Sequence, residues 1–236
     1  MPELEAASPG VAARDALLPA VRRRSFLKFA SATALAFTAS GLLPRHSLAQ
    51  ATAAGVSLGS GDTAVLNYAF ALEQLEAEFY TLVAKSFYRG INERERRILT
   101  DIRDHEIAHV DFYRAKLGRA AIPKLQFNFQ TVNFADRLSV LTTARTFEDT
   151  GVSAYNGAGQ LLRDPRNLAI AGKIVSVEGR HAAILHDLLE PRGQSFAGPG
   201  VIDSFGLDLA DPPSAILAKV KPYIVTAIDP SGLPRS

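Results

Sequence analysis

Two Glu-x-x-His pairs lie in the middle of apolar helical stripes, and they are the strongest sign of chemistry in this sequence. The first pair is Glu106 and His109, and the second is Glu178 and His181. Around each pair, apolar residues recur at steps of three and four, which is the pattern of one buried side of an α-helix. Because burying a carboxylate and an imidazole is costly unless they are paired, the pattern predicts a shared metal site.

A glutamate precedes each pair in the preceding helical segment, so the arrangement is an internal repeat. Glu73 comes before Glu106, and Glu148 comes before Glu178, at nearly the same separation. Two such halves, related by a rough two-fold axis, would bring four glutamates and two histidines to one point. Carboxylates neutralise and bridge cations, and imidazole suits iron, manganese or zinc. Two metal ions roughly 3.5–4 Å apart can hold peroxide or water between them. One Glu-x-x-His pair is common by chance, whereas two paired ones favour a ligand set.

Four helices are needed to position these residues, and the sequence predicts four. They cover about 62–87, 92–117, 136–162 and 164–189. Asp62 or Thr63 is predicted to cap the first helix, Asn92 the second and Asp164 the fourth, where Pro165 takes the first helical position.

The connections between these helices are short, long and short. Residues 119–135 contain a helix-breaking proline and alternate apolar with polar residues, which predicts an extended crossover. The sequence therefore predicts an all-α four-helix bundle with one long crossover between helices 2 and 3. Residues 191–236 form a Pro/Gly-rich tail, in which a short helix is predicted from Pro213 to Ala227, bent at Pro222.

The N-terminal residues predict export. Arg-Arg-x-Phe-Leu-Lys at 23–28, a run of apolar and small residues, and Ser47–Ala49 have the layout of a signal peptide. The paired arginines resemble a twin-arginine signal; an ordinary signal or an uncleaved anchor is the alternative. With cleavage after Ala49 or Ala51, the predicted division is 1–49 signal, 50–61 linker, 62–190 bundle and 191–236 tail. The mature protein is expected in the periplasm or outside the cell, without stable membrane insertion.

Charge and cysteine content exclude several classes of function. Removing residues 1–49 changes the formal net charge from +2 to −1, so the basic balance belongs to the signal. Nucleic-acid binding is therefore not predicted. The chain has no cysteine, which excludes disulfides, thiolate ligands and iron–sulfur clusters.

The sequence resembles the ferritin-like superfamily, and most closely its exported ferritin-like domain and desiccation-related proteins. Residues 66–80 and 147–158 carry the closer similarity. The resemblance implies a ferritin-like four-helix bundle with two iron ions, or alternatively two manganese ions. It implies terminal ligands at Glu73 and Glu148, bridging carboxylates at Glu106 and Glu178, and one imidazole for each metal, from His109 and His181.

Three tyrosines are candidate catalytic residues. Tyr80 and Tyr155 each follow a ligand glutamate by two helical turns, and Tyr113 lies one turn after His109. In related bundles such tyrosines hydrogen-bond the ligands or donate single electrons. The alternative is that they are amphipathic core residues.

Four further polar residues are assigned less directly. Glu76 is the alternative to Glu73 as the ligand from helix 1, while His105 and His186 are predicted at the surface or behind the ligands. Asp149 is predicted to form a salt bridge with an arginine, such as Arg145 or Arg180.

These features predict an exported protein with a dinuclear metal centre that reacts with oxygen or peroxide in stress protection. Ferroxidase-, peroxidase- and catalase-like activities are the enzymatic possibilities. The alternative is a non-enzymatic stress or desiccation-related protein whose metal site serves stability or is unused. A monomer or a small homo-oligomer is expected, and the long tail argues against a storage cage.

Overall fold

The computed structural model describes residues 55–234, so the predicted signal peptide lies outside the described residues. Four long helices form the bundle, and a fifth short helix and two short strands belong to the segments outside it. The helices are α1 (Gly61–Lys85), α2 (Glu93–Leu117), α3 (Arg137–Gly159), α4 (Pro165–Leu189) and α5 (Pro213–Val220), and the strands are β1 (Val56–Ser57) and β2 (Ile228–Asp229).

The bundle is built from two helix pairs. α1 packs along α2 and α3 packs along α4, while smaller contacts join α1 to α3 and α2 to α4. The segment between α2 and α3 contains only a short 3₁₀ turn at Gly118–Ala120, and it is the single long connection among the four helices. The predicted all-α four-helix bundle with one long crossover is confirmed.

Side-chain caps begin three of the four long helices. Asn92 accepts a hydrogen bond from the Glu95 N–H at 2.9 Å, and Asp164 accepts one from the Arg166 N–H at 2.9 Å. Both predicted caps are confirmed. The predicted cap of α1 is wrong, because that helix already begins at Gly61 after Ser60. Asp62 instead accepts hydrogen bonds from the turn before α4, including one from the Arg163 N–H at 2.9 Å.

The crossover lies against α1 through two buried amides. The Asn67 side chain donates to the Ala120 carbonyl at 2.8 Å and accepts from the Ile122 N–H at 3.0 Å. The Gln74 side chain accepts from the Leu125 N–H at 2.9 Å. Backbone groups of a non-helical segment need partners when they are buried, and α1 supplies them. This covering explains why α1 is buried on nearly all its sides.

The tail wraps back onto the bundle. β2 pairs in parallel with β1, so Ile228 lies beside Val56, and α5 packs against α3. Ile216 of α5 and Leu58 are both fully buried. The residues from 55 onward in the predicted linker are therefore part of the folded unit. α5 is shorter than predicted because the helix ends at Val220 instead of bending at Pro222, which has no backbone N–H to continue the helical hydrogen bonds.

The buried carboxylate of Glu95 and its partner Arg137 connect three helices. Arg137 donates to Glu95 at 2.8 Å and to the Leu188 carbonyl at 2.7 Å, and the Tyr88 hydroxyl also donates to Glu95. These contacts join α2, α3 and α4. Among the helices of residues 55–234, none combines the length and the apolar character needed to cross a membrane.

Replacing Ile216 with alanine should destabilise the whole bundle. Its side chain is fully buried, and truncating such a residue costs about 2–5 kcal/mol. Urea denaturation would measure the free energy of unfolding. Leu207→Ala, at a position 63% exposed in the same tail, is the control and should change it by less than about 0.5 kcal/mol. Equal, small effects of both substitutions would show that the tail does not contribute to the core.

Candidate metal centre

The structure brings all six predicted ligand residues together at the middle of the bundle. They form two overlapping groups in which one ligand atom from each residue lies within 4.8 Å of the others. The groups are Glu73, Glu106, His109 and Glu178, and Glu106, Glu148, Glu178 and His181. Glu106 and Glu178 occur in both groups, so each group could hold one ion and the two groups share two carboxylates.

Each histidine points the same ring nitrogen at the carboxylates. His109 Nδ1 lies 3.0 Å from Glu178 Oε1 and 3.1 Å from Glu73 Oε2. His181 Nδ1 lies 3.0 Å from Glu106 Oε1 and 3.3 Å from Glu148 Oε2. The i, i+3 spacing within α2 and within α4 places each histidine beside the glutamate of its own helix, at 3.5 and 3.4 Å.

The buried polar atoms of this cluster fit a cation better than they fit each other. All four glutamates are fully buried. Both oxygens of Glu106, both oxygens of Glu178 and Nδ1 of His181 have no hydrogen-bond partner of acceptable geometry. Carboxylates without partners are costly in a protein interior unless they coordinate a metal. Oxygen and imidazole donors together suit iron, manganese or zinc.

Proximity of like charges shifts the ionisation of the cluster. Burial raises the pKa of Glu148 to about 7, against the opposing effect of His181. Burial and the neighbouring Glu178 hold the pKa of Glu73 well above its usual range. Burial opposes the charged form of His181, but the carboxylates of Glu148, Glu106 and Glu178 together outweigh it and raise the pKa of His181 to about 12. Without metal, protons take the place of cations here.

The comparisons with known proteins agree with this geometry. The family described as "Ferritin-like domain" matches residues 61–191, which is more than half of the chain. This chain belongs to the ferritin-like domain family. No curated protein matches it. The match begins at the first residue of α1 and ends just after α4, so it contains the bundle and all six residues of the cluster.

Of the three candidate tyrosines in this ferritin-like domain, two hydrogen-bond the cluster and the third contacts one of those two. The Tyr80 hydroxyl donates to Glu148 at 2.6 Å, and the Tyr155 hydroxyl donates to Glu73. Tyr80 and Tyr155 therefore each hydrogen-bond the glutamate of the other repeat and not the glutamate on their own helix. The Tyr113 hydroxyl lies 2.9 Å from that of Tyr155 and extends the chain on the Glu73 side. Burial, followed by repulsion from these carboxylates, keeps the pKa of Tyr80 and Tyr155 well above the usual range.

Among residues 55–234, two histidines are outside the predicted ligand set, and only His105 contacts a member of that set. His105 is exposed, but its Nδ1 lies 2.9 Å from His181 Nε2, on the ring side away from the carboxylates. His186 is buried, and its Nε2 lies 2.9 Å from Asp149 Oδ1. The predicted pairing of Asp149 with an arginine is wrong, because α4 places a buried imidazole opposite it while Arg180 stays in solvent.

Glu76, which the sequence offers only as the alternative to Glu73, is also buried, with 4% of its surface exposed. It lies outside both four-residue groups, so Glu73 is the α1 member of the cluster. Glu76 is buried because nearly every side of α1 is covered. The Glu-x-x-Glu spacing at 73–76 was the available signal, since such residues share a helix face.

In the protein stripped of metal, stability should fall as pH rises from 5 to 8. The pKa of Glu148 is raised from 4.5 to about 7, so the stability from its extra proton is present below 4.5 and lost as pH passes about 7. The pKa of His181 is raised from 6.5 to about 12, so its contribution also begins to be lost above 6.5. Denaturation in the presence of a chelator at several pH values would measure this slope of the free energy of unfolding against pH.

Two comparisons check the origin of that slope. Glu148→Gln should flatten it below pH 7, while Glu93→Gln at an exposed position of α2 should leave it unchanged. Added metal should reverse the slope, because protons compete with cations for the same ligands. A stability that rises with pH in the metal-stripped protein would contradict the description of the cluster.

His105→Ala should weaken metal binding without removing a ligand. A hydrogen bond to the far nitrogen of His181 fixes the orientation of the ring that faces the carboxylates. Loss of such a partner typically lowers metal affinity about 10- to 100-fold. Titration with Mn²⁺ would measure the change, and Asp101→Ala, an exposed position one turn earlier on α2, is the matched control. Equal affinities for the two variants would show that His105 has no such role.

Proposed function

We propose that this ferritin-like protein binds two redox-active metal ions, iron or manganese, and uses them to react with oxygen or peroxide. The observation that carries the proposal is the pair of overlapping four-residue groups, which share Glu106 and Glu178. Bound iron or manganese would supply reversible one-electron redox chemistry at each position. The buried, partnerless carboxylate oxygens support a cation there in preference to an ordinary polar core.

The residues of the chain have distinct roles in this proposal. Glu73 and His109 would hold one ion, Glu148 and His181 the other, and the two shared glutamates would bridge them. The four carboxylates together neutralise two divalent cations. Such charge neutralisation inside a dry core is much stronger than at the surface, because the local dielectric is low.

The tyrosines would control electrons and ligand position. Tyr80 and Tyr155 hold Glu148 and Glu73 by hydrogen bonds, which restricts the rotation of both carboxylates. Tyr113 and Tyr155 form a pair of touching phenols that leads away from Glu73. That pair is the proposed source of a single electron when a reaction at the centre needs one more than the metals provide.

Export and stress protection belong to the same proposal. The paired arginines at 23–28 support a twin-arginine route to the periplasm or the medium, and that route carries folded proteins. An exported protein that removes peroxide or oxygen-reactive iron would protect the cell surface during oxidative stress or drying. A monomer or small homo-oligomer is proposed instead of a storage cage.

A second candidate function is structural. The cluster buries four glutamates, and among residues 55–234 no lysine or arginine pairs with any of them. A bound cation would therefore stabilise the fold even without turnover. This candidate differs from the first in catalysis and not in metal binding.

The test is metal content per chain in protein purified without added metal, measured by mass spectrometry. Wild type should carry about two ions of iron or manganese, as expected for a dinuclear site. The Glu106→Ala/Glu178→Ala variant should lose both, because each ion position loses its two shared carboxylates. Peroxide and oxygen consumption by the loaded protein then separates the enzymatic proposal from the structural one.

A control variant removes two exposed acids from the same two helices. Glu93→Ala/Asp187→Ala takes away surface carboxylates that form only solvent-exposed ion pairs. It should keep the metal content of wild type. Wild-type protein that takes up neither iron nor manganese after loading would refute the proposed function and leave the ferritin-like fold alone.

A further inference from the structure

Glu76 is a fifth buried carboxylate beside the cluster, and nothing in the bundle compensates it. It lies one helical turn after Glu73 on α1, and only 4% of its surface is exposed. Among residues 55–234, no hydrogen bond or ion pair reaches its carboxylate. Burial, followed by repulsion from Glu148, holds its pKa well above the usual range. Buried acids of this kind persist where a cation provides the missing partner.

Comparison of the two repeats shows a glycine where a larger residue would contact the side chain of Glu76. Glu73 corresponds to Glu148 and Tyr80 to Tyr155, so the counterpart of Glu76 is Gly151 on α3. A Cβ atom at Gly151 would lie 3.2 Å from Glu76 Oε1, which is closer than an ordinary contact. Gly151 is in the middle of a helix, where glycine is unfavourable relative to alanine. The glycine therefore serves the neighbouring carboxylate and not the local backbone.

A second difference between the repeats also concerns the surroundings of Glu148 and His181. His105 contacts His181, but the residue that corresponds to His105 in α4 is Val177, which offers His109 no hydrogen bond. The carboxylate of Glu76 also lies against α3 at Gly151, one helical turn after Glu148. The Glu148–His181 position thus has two additional polar groups that the Glu73–His109 position lacks.

We infer that Glu76 is a further carboxylate ligand of the ion held by Glu148 and His181, and that this position binds its ion more tightly than the other. The inference rests on the proposed dinuclear function. Glu76 stands outside both four-residue groups in the structure, so its side chain must turn towards the ion. The missing Cβ at Gly151 lets the carboxylate lie close to α3, one turn after Glu148, and it turns from there.

Anaerobic titration of the full-length protein with Mn²⁺ tests the inference, with free Mn²⁺ followed by electron paramagnetic resonance. Wild type should bind two ions in two steps of different affinity. Glu76→Gln should weaken the tighter step about 10- to 100-fold, the size typical of a disturbed metal site, and should leave the weaker step unchanged. Glu78→Gln is the matched control, because Glu78 is two residues away and pairs with Lys124 at 3.1 Å.

A double-mutant cycle identifies the position at which Glu76 acts. In a His181→Ala background, adding Glu76→Gln should cause little further loss of affinity, because the tighter position is already disrupted. In a His109→Ala background, Glu76→Gln should keep its full effect. Equal effects in both backgrounds would overturn the assignment of Glu76 to the Glu148–His181 position.

The remaining outcomes separate this inference from the proposed function. Two Mn²⁺ ions bound identically by wild type and Glu76→Gln would overturn the inference and leave the dinuclear centre intact. No Mn²⁺ binding by wild type would overturn both. Glu76→Gln removes a buried acid and should not lower the melting temperature of the metal-stripped protein. Gly151→Ala, which crowds the carboxylate without removing it, should weaken the same step and serves as the second variant.

Discussion

The burial of several carboxylates at one point, with no basic side chain among them except two histidines, is the constraint on which the rest of this bundle depends. Glu95 shows the ordinary solution, because Arg137 and Tyr88 both donate hydrogen bonds to that buried carboxylate. The acids at the centre have no arginine or lysine partner among residues 55–234, although tyrosine hydroxyls donate to Glu148 and Glu73. Their mutual repulsion opposes folding unless protons or cations intervene, since an unpaired buried charge costs several kcal/mol.

The scaffold resists this repulsion by enclosing the cluster on all sides. The crossover is held to α1 by Asn67 and Gln74, so the helix that carries Glu73 cannot move outward easily. Phe79 and Phe147, the residues before Tyr80 and Glu148, belong to an aromatic group. The ring of Phe79 packs edge-on against Phe147 with centroids 5.2 Å apart, and Tyr223 from the tail packs edge-on against Phe147 at 4.8 Å. Edge-to-face pairs of this kind add to the energy of burial.

The two halves of the bundle make equivalent contacts at the cluster but differ in the residues around it. Tyr80 and Tyr155 exchange partners between the repeats in the same way, and Glu106 and Glu178 are equivalent members of both groups. Beyond these residues the halves differ, because Tyr113 corresponds to Leu185 and Glu76 to Gly151. A symmetric core with unequal surroundings gives two groups of similar donor residues in different environments.

The sequence by itself determined the helices, their caps at Asn92 and Asp164, the crossover, and the six residues that meet at the centre. These follow from helical periodicity and local hydrogen bonding, which depend on residues a few positions apart. Tertiary structure alone decided that Tyr80 reaches Glu148, that Asp149 faces His186, that Glu76 is buried and that Val56 pairs with Ile228. Those outcomes depend on which element covers each side of a helix, and helical periodicity predicts a buried stripe but not a second covering from a distant segment.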